Sequence, residues 1–156
     1  MVKNIRDKSV LIVDDDPRML RALDKVLTNE GAVTTCAEWA GDAIDILTER
    51  KKRVDLVITD LRMPFVSGMT AVYAIHKMLP ELPIIVLTAF GSPDVKAECL
   101  RQGAAAFVEK PLDTPQLLTA VEGALESQKS RPANNLTGHE QRKKTTNENI
   151  KLVKTT

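Results

Sequence analysis

The sequence predicts an α/β protein in which helices cover both faces of a parallel sheet. Five short apolar runs alternate with five segments whose apolar residues recur at helical spacing, and this alternation is typical of consecutive strand-helix units. The run 56–59, Leu-Val-Ile-Thr, is apolar and β-branched at successive positions, as expected of a strand that is buried on both faces. Aromatic residues make up only 3% of the chain, so we expect a core of aliphatic side chains.

The first two units lie within residues 9–50. The apolar run 9–13 predicts a strand, and the Asp16-Pro17 pair after it is typical of the first turn of a helix. Apolar residues then recur at helical spacing until an Asn-Glu-Gly sequence at 29–31 predicts the end of the helix. The second unit is predicted as a strand over 32–36 and a helix over 40–50.

The third unit contains the most distinctive loop. Its strand, 56–59, ends at Asp60, and a Met63-Pro64 turn and Gly68 follow, with a helix predicted over 67–79. Taken alone, Asp60 is compatible with an ordinary solvent-exposed turn aspartate. The carboxyl ends of strands in open α/β sheets are also where ligands bind, so Asp60 is equally a candidate site residue.

The last two units complete the predicted domain. A strand over 83–87 stops at Thr88, and a helix begins at Ser92-Pro93 and runs to residue 100. A weak fifth strand over 105–108 leads to Lys110 and Pro111. Thr114 is predicted to cap a final amphipathic helix that runs through residue 125.

We predict one domain over residues 1–128 and a tail over 129–156. The formal net charge is +1, but seven basic residues against two acids give the tail +5 and leave the domain at −4. The tail has no apolar periodicity and cannot bury a core of its own. A basic tail can touch nucleic acid, but this one lacks a recognition helix, so we interpret it as a solvated linker and expect no nucleic-acid binding by the domain.

The sequence also bears on the cellular compartment. No apolar run approaches the roughly 20 residues of a membrane span, and residues 1–7 lack the apolar core of a signal peptide. We therefore expect a soluble, cytoplasmic protein without membrane contact. The two cysteines, Cys36 and Cys99, have no metal-binding spacing and are predicted to be reduced packing residues.

Five polar side chains are predicted to meet at one edge of the sheet, because each one follows or ends a strand: Asp14, Asp15, Asp60, Thr88 and Lys110. Three carboxylates held together repel one another unless a cation lies among them. Oxygen ligands without histidine or cysteine favour Mg²⁺, and Mn²⁺ is acceptable. An acidic edge without a ligand would explain neither the threonine nor the lysine.

These residues resemble the receiver domain of bacterial two-component response regulators. The resemblance covers about residues 8–128 and depends on four motifs that stand in the family's order and spacing: Val13-Asp14-Asp15, Asp60-Leu-Arg-Met-Pro64 with Gly68, Thr88-Ala89 and Lys110-Pro111. It implies a flavodoxin-like (CheY-like), doubly wound sheet of five parallel strands in the order 2-1-3-4-5.

The resemblance also implies a phosphoryl-transfer site. Asp60 would accept a phosphoryl group from a sensor histidine kinase or a phosphotransfer protein in a Mg²⁺-dependent step. Asp15 and Asp60 would bind the ion through their carboxylates, Arg62 through its backbone carbonyl and Asp14 mostly through water. Lys110 would neutralise phosphoryl charge, and the Lys110-Pro111 peptide bond would be cis.

A conformational switch is implied as well. The Thr88 hydroxyl would donate to a phosphoryl oxygen and move toward it, and the small Ala89 would leave space for that movement. Phe107 corresponds to the family's aromatic switch residue; the alternative is an ordinary core phenylalanine, because a buried aromatic side chain on a strand needs no switching role. The surface of helix 4, strand 5 and helix 5 would then signal to a downstream protein or output domain, or form a homodimer.

Two variable positions of the family carry a prediction about phosphoryl lifetime. Arg62 lies two residues after Asp60, and Phe90 lies two residues after Thr88, so their side chains would flank the path of the hydrolytic water. Both are bulky, and Arg62 can also pair with the phosphoryl group. We predict slow self-dephosphorylation.

The chain is therefore expected to be a signalling switch and not a turnover enzyme, but other classes of protein share parts of this pattern. Asp14-x-Asp16 suggests a haloacid-type phosphatase with an aspartate nucleophile, yet the following Pro17-Arg18 departs from that pattern. A flavin-binding module would need a Ser/Thr-rich phosphate loop after strand one, and this sequence has Asp14-Asp15-Asp16-Pro17 there instead. Within the receiver family, the chain could also be a fragment of a longer DNA-binding regulator or hybrid kinase.

Overall fold

The computed structural model describes residues 4–63 and 67–129, and within these ranges strands and helices alternate as predicted. Pro64, in the predicted turn, and residues 130–156, almost all of the predicted tail, lie outside the described residues. The strands are β1 Ser9–Val13, β2 Val33–Ala37, β3 Leu56–Thr59, β4 Ile84–Thr88 and β5 Ala106–Glu109. The helices are α1 Pro17–Asn29, α2 Ala40–Thr48, α3 Gly68–Met78, α4 Pro93–Arg101 and α5 Thr114–Lys129.

The five strands form one parallel sheet in the order β2-β1-β3-β4-β5. This order confirms the fold that the family resemblance implied. Because β1 has β2 on one side and β3 on the other, the chain reverses its direction of travel across the sheet at β1. In open α/β sheets a crevice forms at such a reversal, outside the carboxyl ends of the strands.

Successive strand residues face opposite sides of the sheet and enter two separate cores. Leu11, Val57 and Val86 pack on the face covered by α2, α3 and α4. Ile12, Ile58 and others pack on the opposite face, beneath α1 and α5. The central strands are therefore apolar at successive positions because both of their faces are buried.

Several element ends differ from the prediction by one or two residues. Strands β2, β4 and β5 each begin and end one residue later than predicted; Pro83 has no N–H to donate to the ladder, and only its carbonyl accepts, from Val57 N at 3.0 Å. Helix α2 ends at Thr48, because Glu49 has an extended backbone. The side chain of Asp113, not Thr114, caps α5 by accepting from Gln116 N at 3.3 Å.

The prediction for the cysteines was right for one residue and wrong for the other. Cys99 is fully buried among apolar side chains, and burial raises the pKa of its thiol. Cys36 is exposed, because it lies on β2, whose outer edge pairs with no other strand in the described parts of the chain. No helix in those parts is long and apolar enough to cross a membrane.

Candidate functional site

Strand register brings the predicted site residues to the carboxyl edge of the sheet. Val13 pairs with Thr59, so the next residues, Asp14 and Asp60, follow neighbouring strand ends. Asp60 N donates to Val13 O at 3.0 Å, which holds the end of β3 against β1. On the other side, Lys110 N donates to Thr88 O at 2.9 Å and so fixes the start of the loop after β5.

Three carboxylates meet in the crevice. Asp14, Asp15 and Asp60 each offer an oxygen, and these oxygens lie within 4.8 Å of one another. Asp14 is 2% exposed and Asp60 is 8% exposed, whereas Asp15 is more open to solvent. A set of hard oxygen donors with one side open to water fits a divalent cation that retains part of its hydration shell.

The ammonium group of Lys110 lies among these carboxylates. Its Nζ is 2.9 Å from Asp14 Oδ2 and 3.4 Å from Asp60 Oδ2. Burial disfavours the ammonium, but hydrogen bonding and charge attraction from the two aspartates outweigh burial and raise the pKa of Lys110. Lys110 is therefore a firmly charged cation at the centre of the site.

Burial raises the pKa of Asp14 above its ordinary value, although the backbone N–H of Asp16 and the ammonium of Lys110 both favour the carboxylate. Both oxygens of Asp14 are engaged by the protein: Oδ1 accepts from Asp16 N at 2.9 Å and Oδ2 accepts from Lys110. In Asp60, Oδ1 accepts from Leu61 N at 2.7 Å, and among the described residues Oδ2 has only the longer contact with Lys110, at 3.4 Å. Of the two Asp60 oxygens, Oδ2 therefore has the weaker hydrogen bonding and is the freer to react.

The loop after Asp60 closes tightly against α3, and Gly68 makes this possible. Gly68 N donates to Leu61 O at 2.8 Å, and a Cβ at Gly68 would meet the carbonyl oxygen of Asp60 and the Cα of Leu61. Ser67 caps α3 by accepting from Thr70 N at 3.2 Å. Only a residue without a side chain fits at Gly68, because the atoms that face it belong to the main chain.

Thr88 and Phe107 lie on the neighbouring strands β4 and β5. Thr88 is 0% exposed, and its hydroxyl accepts from Phe90 N at 3.3 Å. Phe107 is half-buried and packs at the margin of the core beneath α4. A Cβ on Gly91 would lie 2.9 Å from both Cε1 and Cζ of Phe107. Gly91 was not predicted as a site residue, because a glycine in a loop carries no sequence signal of contact with a distant ring.

Arg62 and Phe90 contact each other. The guanidinium carbon of Arg62 is 3.3 Å from the centroid of the Phe90 ring, and Phe90 is 50% exposed. The sequence placed each residue beside the site separately but gave no indication that they stack, since they lie on different loops. The Lys110-Pro111 peptide bond is cis, as the resemblance implied.

Comparison with known proteins agrees with this geometry. A family model described as the response regulator receiver domain matches residues 10–122. The transcriptional regulatory protein GlrR of Escherichia coli (strain K12) is 43% identical over 118 residues, which cover 75% of this chain and 26% of GlrR. The chain therefore spans about a quarter of the length of the curated relatives it matches.

Solved structures give the same result. A response regulator receiver domain protein from Clostridium thermocellum is 30% identical and superposes with a TM-score of 0.73. The match covers 78% of this chain and 97% of the chain of that protein. A second solved structure is the solution structure of the beryllofluoride-activated NtrC4 receiver domain dimer, which is 27% identical and has a TM-score of 0.71. The match covers 77% of this chain and 98% of the NtrC4 chain.

Proposed function

The chain belongs to the family of response regulator receiver domains, and from this premise we propose that it accepts a phosphoryl group on Asp60 as one step of a phosphorelay. The observation that carries the proposal is the environment of Asp60. Asp60 follows the central strand β3 and is 8% exposed. Its Oδ2, the oxygen with the weaker hydrogen bonding, lies 3.4 Å from the ammonium of Lys110.

The donor in this proposal is a phosphohistidine on a sensor histidine kinase or phosphotransfer protein. The P–N bond of the donor breaks while a P–O bond forms to the Asp60 carboxylate, and the released imidazole takes up a proton. The loose transition state of phosphoryl transfer requires mainly positioning and charge neutralisation. Lys110 supplies a fixed positive charge for that purpose, because the carboxylates beside it raise its pKa.

The donor set also supports a divalent cation, Mg²⁺ or Mn²⁺ in its place. Asp15 and Asp60 would bind it through their carboxylates, and Arg62 through its backbone carbonyl. Asp14 would contribute mostly through water, since both of its oxygens already accept direct hydrogen bonds. When bound, the cation would add to the neutralisation of phosphoryl charge.

Thr88 and Phe107 are the proposed switch residues. The Thr88 hydroxyl is bonded to the backbone of Phe90, so its movement toward a phosphoryl oxygen would release or draw in the loop after β4, where Ala89 leaves space. The ring of Phe107 borders Gly91 in that same loop. Movement of the loop would therefore change the space available to the ring, and with it the surface formed by α4, β5 and α5.

Arg62 and Phe90 are the proposed modulators of phosphoryl lifetime. Their stack joins the loop after β3 to the loop after β4, and these are the two loops that flank Asp60. With both side chains in place, we propose that water reaches the acyl phosphate slowly.

We further propose that the receiver domain occupies residues 1–128, or one residue more, since α5 runs to Lys129, and that the remaining chain leads to the output domain of a longer DNA-binding regulator. Support comes from the relatives, which are about four times as long as the segment they share with this chain and include the transcriptional regulator GlrR. The surface of α4, β5 and α5 would contact that output domain, a downstream protein or a second copy of the chain. The dimeric NtrC4 receiver domain supports the last possibility.

A haloacid-type phosphatase is not favoured, because the matching family model and the relatives are receiver domains and regulators. The two functions also predict different stoichiometry. A receiver transfers one phosphoryl group to itself, whereas a phosphatase would turn over a phosphorylated substrate repeatedly in Mg²⁺.

The test is phosphoryl labelling with acetyl phosphate and Mg²⁺, followed by intact-mass measurement. We expect one added phosphoryl group on the wild-type chain and none on Asp60→Asn. Asp42→Asn, which removes an exposed carboxylate from α2, is the matched control and should label like the wild type. Labelling of Asp60→Asn at another residue would overturn the assignment.

A further inference from the structure

A cavity of about 290 Å³ opens at the amino edge of the sheet, opposite the edge that carries Asp60. It is lined by the ends of α2 and α5 and by the segments that lead into β3 and β4. The apolar part of the lining consists of Leu47, Val54, Leu79, Pro80 and Leu82. Its volume is close to the lower limit of about 300 Å³ for ligand pockets. The cavity therefore has room for one bulky side chain of another molecule, and it is separate from the phosphoryl-transfer site.

Four consecutive basic residues, 50–53, connect α2 to the segment before β3, and we call them the basic turn. Lys52 N closes this turn by donating to Glu49 O at 3.2 Å, with Arg50 and Lys51 between them. Lys52 and Arg53 line the cavity, and all four basic residues are exposed. Because neighbouring Cα atoms are only about 3.8 Å apart, all four charges lie close to the opening of the cavity.

Much of this positive charge has no strong partner within the described parts of the chain. Arg50 and Lys51 form no ion pair with any residue in 4–63 or 67–129. Lys52 pairs with Glu49 at 3.3 Å, but about half of each side chain is exposed, and exposed ion pairs of this kind are weak. These three cations are therefore available to an anionic partner.

The fourth cation is held in place by a buried carboxylate. Arg53 Nε is 3.0 Å from Asp55 Oδ1, and the Arg53 side chain is 82% exposed. Two exposed acids, Glu49 and Glu81, lie near the four exposed cations, so the surface beside the cavity has a surplus of +2. The domain as a whole carries −4, and the basic turn is thus a local reversal of its charge.

An apolar cavity beside a surplus of cations fits an acidic segment that also carries a large apolar side chain. The tail of this chain, with seven basic residues against two acids, does not have that composition. Nucleic acid fits less well, because bases bind to surfaces of this kind by stacking on aromatic side chains, and the lining residues include none. A bare polyanion would also leave the apolar lining uncovered.

We propose that the cavity and the basic turn together bind an acidic segment of a partner protein. One large apolar side chain of the partner enters the cavity, where its burial favours binding, and the carboxylates next to it pair with Arg50 and Lys51. Opposite charges at the edge of an interface mainly add specificity and speed of association. Binding requires no phosphoryl group on Asp60, so it goes beyond the proposed function and succeeds or fails separately from it.

Fluorescence anisotropy on the unphosphorylated full chain tests the role of the basic turn. The probe is a labelled short peptide with one central tryptophan flanked by glutamates. We expect it to bind the wild type and to bind Arg50→Glu/Lys51→Glu at least about tenfold more weakly. Arg21→Glu/Lys25→Glu, the same change at two exposed residues of α1, is the matched control and should bind like the wild type. Equal weakening by both variants, or no binding by the wild type, would overturn the proposal.

Changes in the peptide test the cavity without altering the protein. Replacement of the tryptophan by alanine should weaken binding at least about fivefold, because the apolar anchor is lost. In the protein, Gln128→Trp places a larger side chain among the lining residues; it should weaken the tryptophan peptide and leave the alanine peptide unchanged. Equal affinities of the two peptides for the wild type would contradict entry of a side chain into the cavity.

A single-stranded oligonucleotide distinguishes the other class of partner. We expect it to bind more weakly than the tryptophan peptide and to compete with it poorly. Tighter binding of the oligonucleotide than of the peptide, lost in Arg50→Glu/Lys51→Glu, would overturn the proposal in favour of nucleic acid. Circular dichroism of each variant is expected to match the wild type, because Arg50 and Lys51 lie in an exposed turn.

Discussion

The guanidinium group of Arg62 stacks on the ring of Phe90, with 3.3 Å between the guanidinium carbon and the ring centroid. The two residues come from different loops, one after β3 and one after β4. A cation–π contact at a partly exposed site is worth about 0.5–1 kcal/mol, which is enough to keep the two loops together most of the time. The stack connects both proposed lifetime-controlling residues, so they are expected to act as one unit.

We expect self-dephosphorylation to accelerate about tenfold or more in Arg62→Asn/Phe90→Glu, equivalent to about 1.4 kcal/mol of barrier. Removal of the two bulky groups opens the path of water to the acyl phosphate, and a carboxylate at residue 90 can orient that water. The measurement is loss of phosphoryl label from Asp60 with time. An unchanged or slower rate in the double variant would sink this idea.

Gly68→Ala is expected to lower the free energy of unfolding by about 3 kcal/mol, because a Cβ would overlap main-chain atoms of Asp60 and Leu61 that cannot rotate away. Gly123→Ala, in α5, is the matched control; its Cβ would have no atom within 4 Å, so it should gain about 0.5–1 kcal/mol from the better helix propensity of alanine. Urea unfolding measures both. Equal effects of the two substitutions would contradict the tight closure of this loop.

Asp14→Asn is expected to stabilise the chain in the absence of divalent cations. Burial raises the pKa of Asp14 above 3.8, so the native state holds its proton more tightly than the unfolded state does. Stability is therefore lost as the pH rises from 3.8 through the native-state pKa of Asp14. The asparagine variant carries no such charge, and its advantage should be largest at neutral pH.

The expected gain for Asp14→Asn is on the order of 1 kcal/mol, the common size of a single-substitution effect, and it should shrink as the pH falls toward 3.8. Urea unfolding in chelator at several pH values measures it. Asp42→Asn at an exposed position should change stability by less than about 0.5 kcal/mol. A destabilised Asp14→Asn variant at neutral pH would show that its ion pair with Lys110 outweighs the cost of burial.

Gly91→Ala is expected to displace the Phe107 ring without unfolding the domain. The atoms that a Cβ would meet, Cε1 and Cζ at 2.9 Å, belong to the free end of that side chain. We expect a cost of about 1–2 kcal/mol, most of which disappears when Phe107 is also replaced by alanine. A double-mutant cycle measures this coupling, and an interaction energy under about 0.5 kcal/mol would argue against contact between the two residues.

The fold was predictable because strand and helix periodicity are local signals. The run 56–59 and the stripe of leucines in α1 fall where the sequence placed them. Strand ends were less predictable, because they depend on which backbone groups have partners across the sheet. Thr88 extends β4 by one residue since its neighbour Glu109 continues β5 beside it.

The candidate site was likewise predictable only in part. Asp14, Asp60 and Lys110 were identifiable because each lies at a strand end and because parallel strands end at one edge. The stack of Arg62 on Phe90 and the contact of Phe107 with Gly91 depend on loop conformations and side-chain rotamers. Neither produces a periodic pattern in the sequence. Exposure of Cys36 likewise depended on β2 being an edge strand, a property of the sheet order and not of the residue.

Helix α5 begins just after Lys110 and ends at Lys129 on the far side of the sheet. Its 16 residues span about 24 Å. A protein fused after α5 is therefore expected to start on the side of the sheet away from Asp60.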